Sequence, residues 1–139
     1  MKEVLPNLQF LLVDDAEAIR QLIVGILKDA GVTKPPMQAA NITEAKRLLS
    51  DGILKDQPIE FIISDWEMPG GTGLDFLQWI RSDFSRFKRI PFIMTTTVNE
   101  KDKIIVAIRT GADNYLIKPF EAEQLLSRVV FALKKRNSN

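Results

Sequence analysis

The chain has 139 residues, of which 45% are hydrophobic and 27% charged, and this balance is typical of one soluble globular domain. The 19 basic and 18 acidic residues leave a net charge of +1, which favours neither a nucleic acid nor an anionic membrane as a partner. Because cysteine and histidine are absent, disulfides, thiol chemistry and histidine acid-base chemistry are excluded, and any bound metal would be a hard cation held by oxygen.

The composition predicts a single domain over residues 1–139 with a core from about residue 6 to residue 135 and no attached effector domain. Acidic residues close the short apolar run at the N-terminus, so it does not resemble a signal peptide. No segment approaches the roughly 20 apolar residues of a membrane span. We therefore expect a cytoplasmic protein that does not enter membranes.

Short apolar runs alternate five times with patterns of helical period. The predicted strands are residues 8–13, 37–40, 61–63, 92–95 and 115–117. The predicted apolar helix positions, in chain order, are Ile19, Leu22, Ile23, Ile26 and Leu27; Ala45, Leu48 and Leu49; Leu74, Leu77 and Ile80; Ile104, Ile105 and Ile108; and Leu125, Leu126, Val129, Val130 and Leu133.

Helix boundaries are marked by glycines and by capping residues. Gly31 and Gly111 are predicted to end the first and fourth helices. Asn41 or Thr43 can cap the second helix, and Asn99 the fourth. The strands are apolar throughout, which predicts a parallel sheet covered by helices on both faces, with the second strand at an edge.

Chemically active side chains follow four of the five predicted strands. Asp14 and Asp15 follow the first strand, Asp65 the third, and Lys118 the fifth, while Thr96 lies in a threonine run, residues 95–97, that begins at the end of the fourth strand. Ligands of open parallel sheets bind beyond the carboxyl ends of the strands. These side chains are therefore expected to converge on one site.

Each of these residues also has a purely structural interpretation. Either of the paired aspartates can cap the first helix, and Asp65 can begin a turn. Thr95 suits a strand by its β-propensity, Lys118 can be a solvated lysine, and Pro119 can open a helix. The basic residues 134–136 are predicted to complement the dipole of the last helix, with a nucleic-acid tail as the alternative.

The charges at the site predict a divalent cation. Two carboxylates about 5 Å apart repel by roughly 3 kcal/mol at an effective dielectric of 20, and Lys118 offsets only part of the repulsion among three acids. Ligation by carboxylates and water is the preference of Mg²⁺, and a phosphoryl group can replace some of the waters. No glycine-rich P-loop is present to bind phosphate directly.

The order and spacing of the motifs resemble the receiver domains of two-component response regulators, most closely the stand-alone CheY-like type. The resemblance rests on Asp14-Asp15, on the run at residues 63–69 with Gly73-Leu74, on Thr96, and on the run at residues 111–120. It implies a doubly wound α/β fold with the strand order 2-1-3-4-5.

The resemblance also implies roles for individual residues. Asp65 would be the phosphoacceptor. Asp14, Asp15 and Asp65, together with the main-chain carbonyl of Glu67, would hold Mg²⁺, for which Mn²⁺ could substitute.

Three further residues would form the switch. Thr96 would move its hydroxyl onto the phosphoryl group, and Lys118 would contact the phosphoryl oxygens. The peptide bond between Lys118 and Pro119 is expected to be cis. Tyr115 would be the aromatic residue whose rotamer follows the state of Thr96. Thr97 departs from the family pattern, which usually has alanine or glycine there.

The implied partners are a histidine kinase or phosphotransfer protein and a downstream protein bound by the fourth helix, fifth strand and fifth helix. The chain would be a regulator that catalyses only its own phosphorylation and dephosphorylation, most simply in chemotaxis. The alternatives are a phosphorelay intermediate, a truncated receiver of a larger regulator, and a magnesium phosphatase with an aspartate nucleophile. The phosphatase class places its nucleophile after the first strand, whereas Asp65 follows the third.

Overall fold

The computed structural model describes residues 5–97 and 101–137. Its main element is a five-stranded parallel sheet with the order β2-β1-β3-β4-β5. The strands are β1 (Phe10–Val13), β2 (Met37–Ala39), β3 (Phe61–Asp65), β4 (Phe92–Thr96) and β5 (Asn114–Ile117). The predicted doubly wound α/β fold and its strand order are confirmed.

The helices lie on both faces of this sheet and are α1 (Glu17–Asp29), α2 (Ile42–Leu54), α3 (Gly73–Arg81), α4 (Lys101–Thr110) and α5 (Ala122–Asn137). A short antiparallel hairpin, Glu67–Met68 with Gly71–Thr72, connects β3 to α3. Within the described ranges, no helix is both long enough and apolar enough to cross a bilayer.

The sheet separates two hydrophobic cores. Apolar residues of α1 and α5 pack on one face, and those of α2, α3 and α4 pack on the other. Every residue of β1, β3 and β4 is buried, as expected for strands covered on both sides. Strand β2 is half exposed at one edge, as predicted.

Several strands differ from the predicted bounds. Strand β3 runs to Asp65 and β4 runs to Thr96, because parallel pairing continues to the ends of both strands, with Asp65 opposite Thr95. Asp65 and Thr96 are therefore the last residues of strands, where the backbone is fixed, rather than loop residues. At the other end, β1 begins at Phe10, two residues later than predicted.

Most predicted helix boundaries are confirmed. The side chain of Asn41 caps α2 by accepting a hydrogen bond from the Glu44 amide at 2.8 Å. Gly31 and Gly111 follow α1 and α4 with φ of 98° and 124°, in the left-handed region that favours glycine. The predicted cap Asn99 lies outside the described residues.

Two structural interpretations are wrong. The N-cap of α1 is Ala16, without a side-chain cap, so neither aspartate before it caps the helix. Pro119 does not open a helix, because α5 begins at Ala122.

The predicted apolar face of α4 is also wrong in part. Ala107 is buried under the helix, whereas Ile105 and Ile108 are exposed together with Val106. Leu22 on α1 is likewise 48% exposed. The helix α4 therefore packs on the sheet through the small side chain of Ala107, and the longer aliphatic side chains of α4 face solvent.

The basic residues near the C-terminus do more than complement the dipole of α5. Arg136 Nε donates to Oδ1 of the buried Asp113 at 2.8 Å, and Lys135 lies 3.7 Å from the same oxygen. Arg81 at the end of α3 approaches the other carboxylate oxygen at 3.2 Å. Burial, with the nearby Arg136, lowers the pKa of Arg81 to about 10. This cluster joins α3, β5 and α5.

Candidate functional site

Four chain segments meet beyond the carboxyl edge of the central strands. Asp14 and Asp15 follow β1 directly, Asp65 ends β3, Thr96 ends β4, and Lys118 follows β5. Because β1, β3, β4 and β5 are consecutive neighbours in the sheet, their ends lie side by side. The sheet thus brings together residues that are as much as 104 positions apart in the chain.

The three aspartates form one cluster. One carboxylate oxygen from each of Asp14, Asp15 and Asp65 lies within 4.8 Å of the others. Asp14 and Asp65 are buried, with exposed fractions of 3% and 8%, and Asp15 is exposed. Three hard oxygen donors at this separation fit a single divalent cation such as Mg²⁺.

Lys118 bridges the two buried acids. Its Nζ donates to Asp14 Oδ2 at 2.7 Å and lies 3.3 Å from Asp65 Oδ1. Its side chain is only 11% exposed, so it is not the solvated lysine of the alternative interpretation. The bond from Lys118 to Pro119 is cis, as expected. Three negative charges and one positive charge leave the cluster with a net charge of −2, which one divalent cation would neutralise.

The position of Asp14 is fixed by its own backbone and by α1. Its Oδ1 accepts a hydrogen bond from the Ala16 amide at 2.9 Å, and its amide donates to the Ala39 carbonyl at 3.0 Å. Arg20 Nη1 donates to the Asp14 carbonyl at 2.6 Å, while its Nε donates to Gln38 at 3.1 Å. These bonds hold the β1–α1 connection so that Oδ2 faces Lys118.

The backbone around Asp65 is held by both neighbouring elements. The Trp66 amide donates to the Thr95 carbonyl at 2.8 Å, and the Gly73 amide donates to the Trp66 carbonyl at 2.7 Å. At Gly73 an added Cβ would lie 2.2 Å from the Asp65 carbonyl oxygen, so only glycine fits there. The start of α3 therefore sets the position of Asp65.

The surroundings of Asp65 disfavour the ionised form of its carboxyl group when no cation is bound. Burial raises the pKa of this carboxyl group, and the negative charge of Asp14 acts in the same direction. The charge and hydrogen bond of Lys118 and the Trp66 backbone act to lower the pKa, but they do not outweigh burial. A cation would supply the missing positive charge.

The other predicted residues lie around this cluster. Thr96 is buried, and its carbonyl accepts a hydrogen bond from the Lys118 amide at 2.8 Å. Tyr115 is half buried on the edge strand β5, and its carbonyl accepts from Arg128 Nε at 3.2 Å. Glu67 lies in the hairpin two residues after Asp65, and Thr97 is exposed beyond β4.

Sequence reasoning missed two residues that position this site. Arg20 gave no distinct signal, because an arginine on the polar side of an amphipathic helix is ordinary. Gly73 was part of the quoted motif, but its close approach to Asp65 depends on how α3 packs against β3. The signal in the sequence that could have indicated this close approach was a glycine at the start of a helix, where glycine is conformationally unfavourable.

Comparisons with known proteins agree with this geometry. The model of the response regulator receiver domain family matches residues 10–130. The chemotaxis protein CheY of Pseudomonas aeruginosa is 35% identical over 122 residues, which cover 88% of this chain and 93% of that protein. Chemotaxis protein CheY1 of Helicobacter pylori is 35% identical over 126 residues, covering 91% and 97%. The structure of the chemotaxis response regulator CheY4 of Vibrio cholerae superposes with a TM-score of 0.72 at 34% identity, covering 90% and 98%.

The chain belongs to the response regulator receiver domain family. Its similarity to three CheY proteins confirms that it is CheY-like. It is a signalling regulator of the phosphorelay type and not an enzyme in the ordinary sense. Receiver domains interact with kinases or phosphotransfer proteins and with downstream targets, and they bind Mg²⁺ through an aspartate cluster such as the one described above.

Proposed function

We propose that Asp65 accepts a phosphoryl group from a phosphohistidine on a kinase or phosphotransfer protein. A carboxylate oxygen of Asp65 forms a bond to phosphorus as the bond between phosphorus and the imidazole nitrogen breaks, and the imidazole departs. Water later hydrolyses the aspartyl phosphate. The observation that carries the proposal is the cluster of three carboxylates within 4.8 Å, with Lys118 bridging the two buried ones.

The residues that would hold Mg²⁺ are Asp14, Asp15 and Asp65, with the main-chain carbonyl of Glu67 as a further predicted ligand. When bound, the cation supplies positive charge to the phosphoryl oxygens. Asp65 is the central acid because it ends β3, the middle strand of the sheet, and because its Oδ1 lies 3.3 Å from Lys118 Nζ. The mechanism would accept Mn²⁺ in place of Mg²⁺, since both prefer oxygen ligands.

Lys118 and Thr96 would act on the phosphoryl group itself. The Lys118 ammonium already lies 3.3 Å from Asp65 Oδ1, so it can reach an oxygen attached there and stabilise its charge. Thr96 is held next to it by the bond between the Lys118 amide and the Thr96 carbonyl, and its hydroxyl would donate one further hydrogen bond. These contacts exist only in the phosphorylated state, so they can shift a conformational equilibrium.

The shift would change the surface formed by α4, β5 and α5, to which a downstream protein would bind. Strand β5 is the edge of the sheet, with α4 packed on one face and α5 on the other, so the three elements form a continuous surface. Ile105, Val106 and Ile108 on α4 are each about 40% exposed. Exposed aliphatic side chains on α4 and the half-buried Tyr115 on β5 give this surface the apolar character of a protein-binding site.

The CheY relatives favour a role in chemotaxis or motility, with a phosphorelay intermediate as the alternative. The two differ in what the phosphorylated chain does next. A chemotaxis regulator binds a protein target while phosphorylated, whereas an intermediate passes the phosphoryl group to another histidine.

Phosphotransfer from radiolabelled kinases tests the proposal. We expect Mg²⁺-dependent uptake of one phosphoryl group per chain by the wild type, none by Asp65→Asn, and wild-type uptake by the matched control Asp83→Asn, whose side chain is 90% exposed in the α3–β4 connection. Uptake by Asp65→Asn at the wild-type rate would contradict the assignment. Repeated turnover of a generic phosphate ester would favour the phosphatase alternative instead.

A further inference from the structure

A groove of about 540 Å³ lies between the C-terminal half of α2 and the α3–β4 connection, residues 82–91. Its apolar lining includes Ile53 and Leu54 from α2, Trp79 from α3, and Phe84 from the connection. Serine hydroxyls at positions 50, 82 and 85 also line it. We refer to it as the α2–α3 groove.

The side chains at the rim are unusually exposed for their type. Phe84 is 100% exposed and Leu54 is 84% exposed. Large apolar side chains gathered at one concave place, as opposed to scattered singly, mark an interaction site. Neither side chain contributes to the hydrophobic cores of the fold, so folding alone does not account for their presence here.

Two cations lie at the same groove. Lys46 Nζ lies 4.7 Å from the centre of the Trp79 ring, and Arg86 forms part of the lining. The connection has one acid, Asp83, which pairs with Lys88 at 3.5 Å. In the described part of the chain, no carboxylate forms an ion pair with Arg86 or with Lys46.

We propose that the α2–α3 groove docks an acidic segment of another protein that carries apolar side chains. The apolar side chains would enter the groove between Leu54, Trp79 and Phe84. The carboxylates would pair with Lys46 and Arg86, which sets the orientation of the segment. The Ser85 hydroxyl, which accepts a hydrogen bond from the Phe87 amide, would donate one to a polar group of the segment.

The concave shape favours a peptide segment over a membrane. Trp79 is half buried within the groove, where a flat lipid surface would not reach it. A second copy of the chain is disfavoured by charge, because a two-fold symmetric contact would place the cations of one groove against those of the other.

The groove is separate from the surfaces already assigned. The C-termini of α2 and α3 lead to the amino ends of β3 and β4, so the groove lies at the edge of the sheet opposite the aspartate cluster. It also lies away from the edge strand β5. A segment bound there would leave both the phosphorylation site and the α4–β5–α5 surface accessible.

The test is selection from a phage-displayed library of random 16-residue peptides on the immobilised full chain, followed by fluorescence polarisation with the enriched peptides. The variants are Phe84→Ser, Leu54→Ser and Arg86→Glu, all at exposed positions. Leu22→Ser is the matched control, since Leu22 is an exposed leucine on α1, outside the groove. Sedimentation velocity and binding to vesicles of phosphatidylcholine and phosphatidylserine complete the experiment.

We expect enriched peptides with an excess of acidic residues together with apolar residues. Their affinity should fall at least tenfold in each groove variant and stay unchanged in Leu22→Ser. The proposal is overturned if the enriched peptides are neutral or basic, or if they bind Phe84→Ser as well as the wild type. It is also overturned if Phe84→Ser abolishes vesicle binding or a dimer of the wild type.

Discussion

Replacing the ionised Asp65 by a neutral amide should stabilise the metal-free protein. The substitution Asp65→Asn keeps the size of the side chain and removes one charge from the aspartate cluster. Because burial and Asp14 raise the pKa of Asp65, the fold penalises the charged form at neutral pH. Removing the charge removes that penalty.

The magnitude follows from the distances. At an effective dielectric of 20, an Asp14 oxygen within 4.8 Å costs about 3 kcal/mol and the Lys118 ammonium at 3.3 Å contributes about 5 kcal/mol. Burial of the ion costs several kcal/mol, which exceeds the difference. We therefore expect Asp65→Asn to raise the free energy of unfolding by about 1–2 kcal/mol, or the melting temperature by roughly 3–7 °C.

The pH dependence has a defined sign. Below pH 3.8, the ordinary value for an aspartate, Asp65 is protonated in both the folded and the unfolded chain, and the variant has no advantage. As the pH rises through the window between 3.8 and the raised pKa of the folded state, the unfolded chain loses its proton first and the wild type becomes less stable. The advantage of Asp65→Asn should therefore appear across this window and persist at neutral pH.

Urea denaturation at low salt with EDTA, and then with MgCl₂, measures both effects. Mg²⁺ at ten times its Kd should stabilise the wild type by about 1.4 kcal/mol, and it should stabilise Asp65→Asn less because one ligand has lost its charge. Asp83→Asn is the matched control and should respond to Mg²⁺ as the wild type does. An Asp65→Asn variant less stable than the wild type in EDTA would contradict this expectation, and so would a lack of stabilisation of both proteins by Mg²⁺.

Four other substitutions test three separate parts of the structure. Tyr115→Ala should leave phosphorylation largely intact and weaken binding of the phosphorylated chain to its target, and unchanged affinity in a pull-down with beryllofluoride-activated protein would argue against the output surface. Gly73→Ala should slow phosphorylation and cost about 1–3 kcal/mol of stability, because its Cβ would lie 2.2 Å from the Asp65 carbonyl oxygen; wild-type values in both assays would show that α3 does not set the position of Asp65. Asp113→Ala should lower the free energy of unfolding by about 3–5 kcal/mol, because it leaves the buried guanidinium of Arg81 without its carboxylate partner. Lys135→Ala, at the half-exposed edge of the same cluster, should lower it by less than about 1 kcal/mol. Equal losses of stability in urea denaturation would contradict this difference.

The order of elements and the side chains that meet at one end of the sheet could be predicted because both depend on local patterns. Apolar runs alternating with helical periods define a parallel α/β sheet, and the carboxyl ends of such strands share one edge. Asp14, Asp65 and Lys118 could therefore be assigned to one site before any contact between them was known. Confirmation of their contacts came from the sheet, which places the ends of β1, β3 and β5 together.

Other features depend on how helices pack, which a periodic pattern does not specify. The pattern of α4 predicts an apolar inner face, yet the helix sits on Ala107 and leaves Ile105 and Ile108 exposed. The buried Asp113 draws its cations from α3 and α5, which are distant in the chain. Neither the packing of α4 nor the ion pairs of Asp113 can be read from the sequence pattern of a single segment.

The amino-acid sequence alone was enough to identify the family, the parallel sheet and the acids that gather at its edge, because periodicity and strand-end position are properties of single segments. The packed fold was needed to establish that Lys118 bridges two aspartates, that Gly73 must lack a side chain, and that Phe84 and Leu54 border a groove that Arg86 also lines. Those features arise where separate segments meet, and their distances and burial set the energies on which they depend.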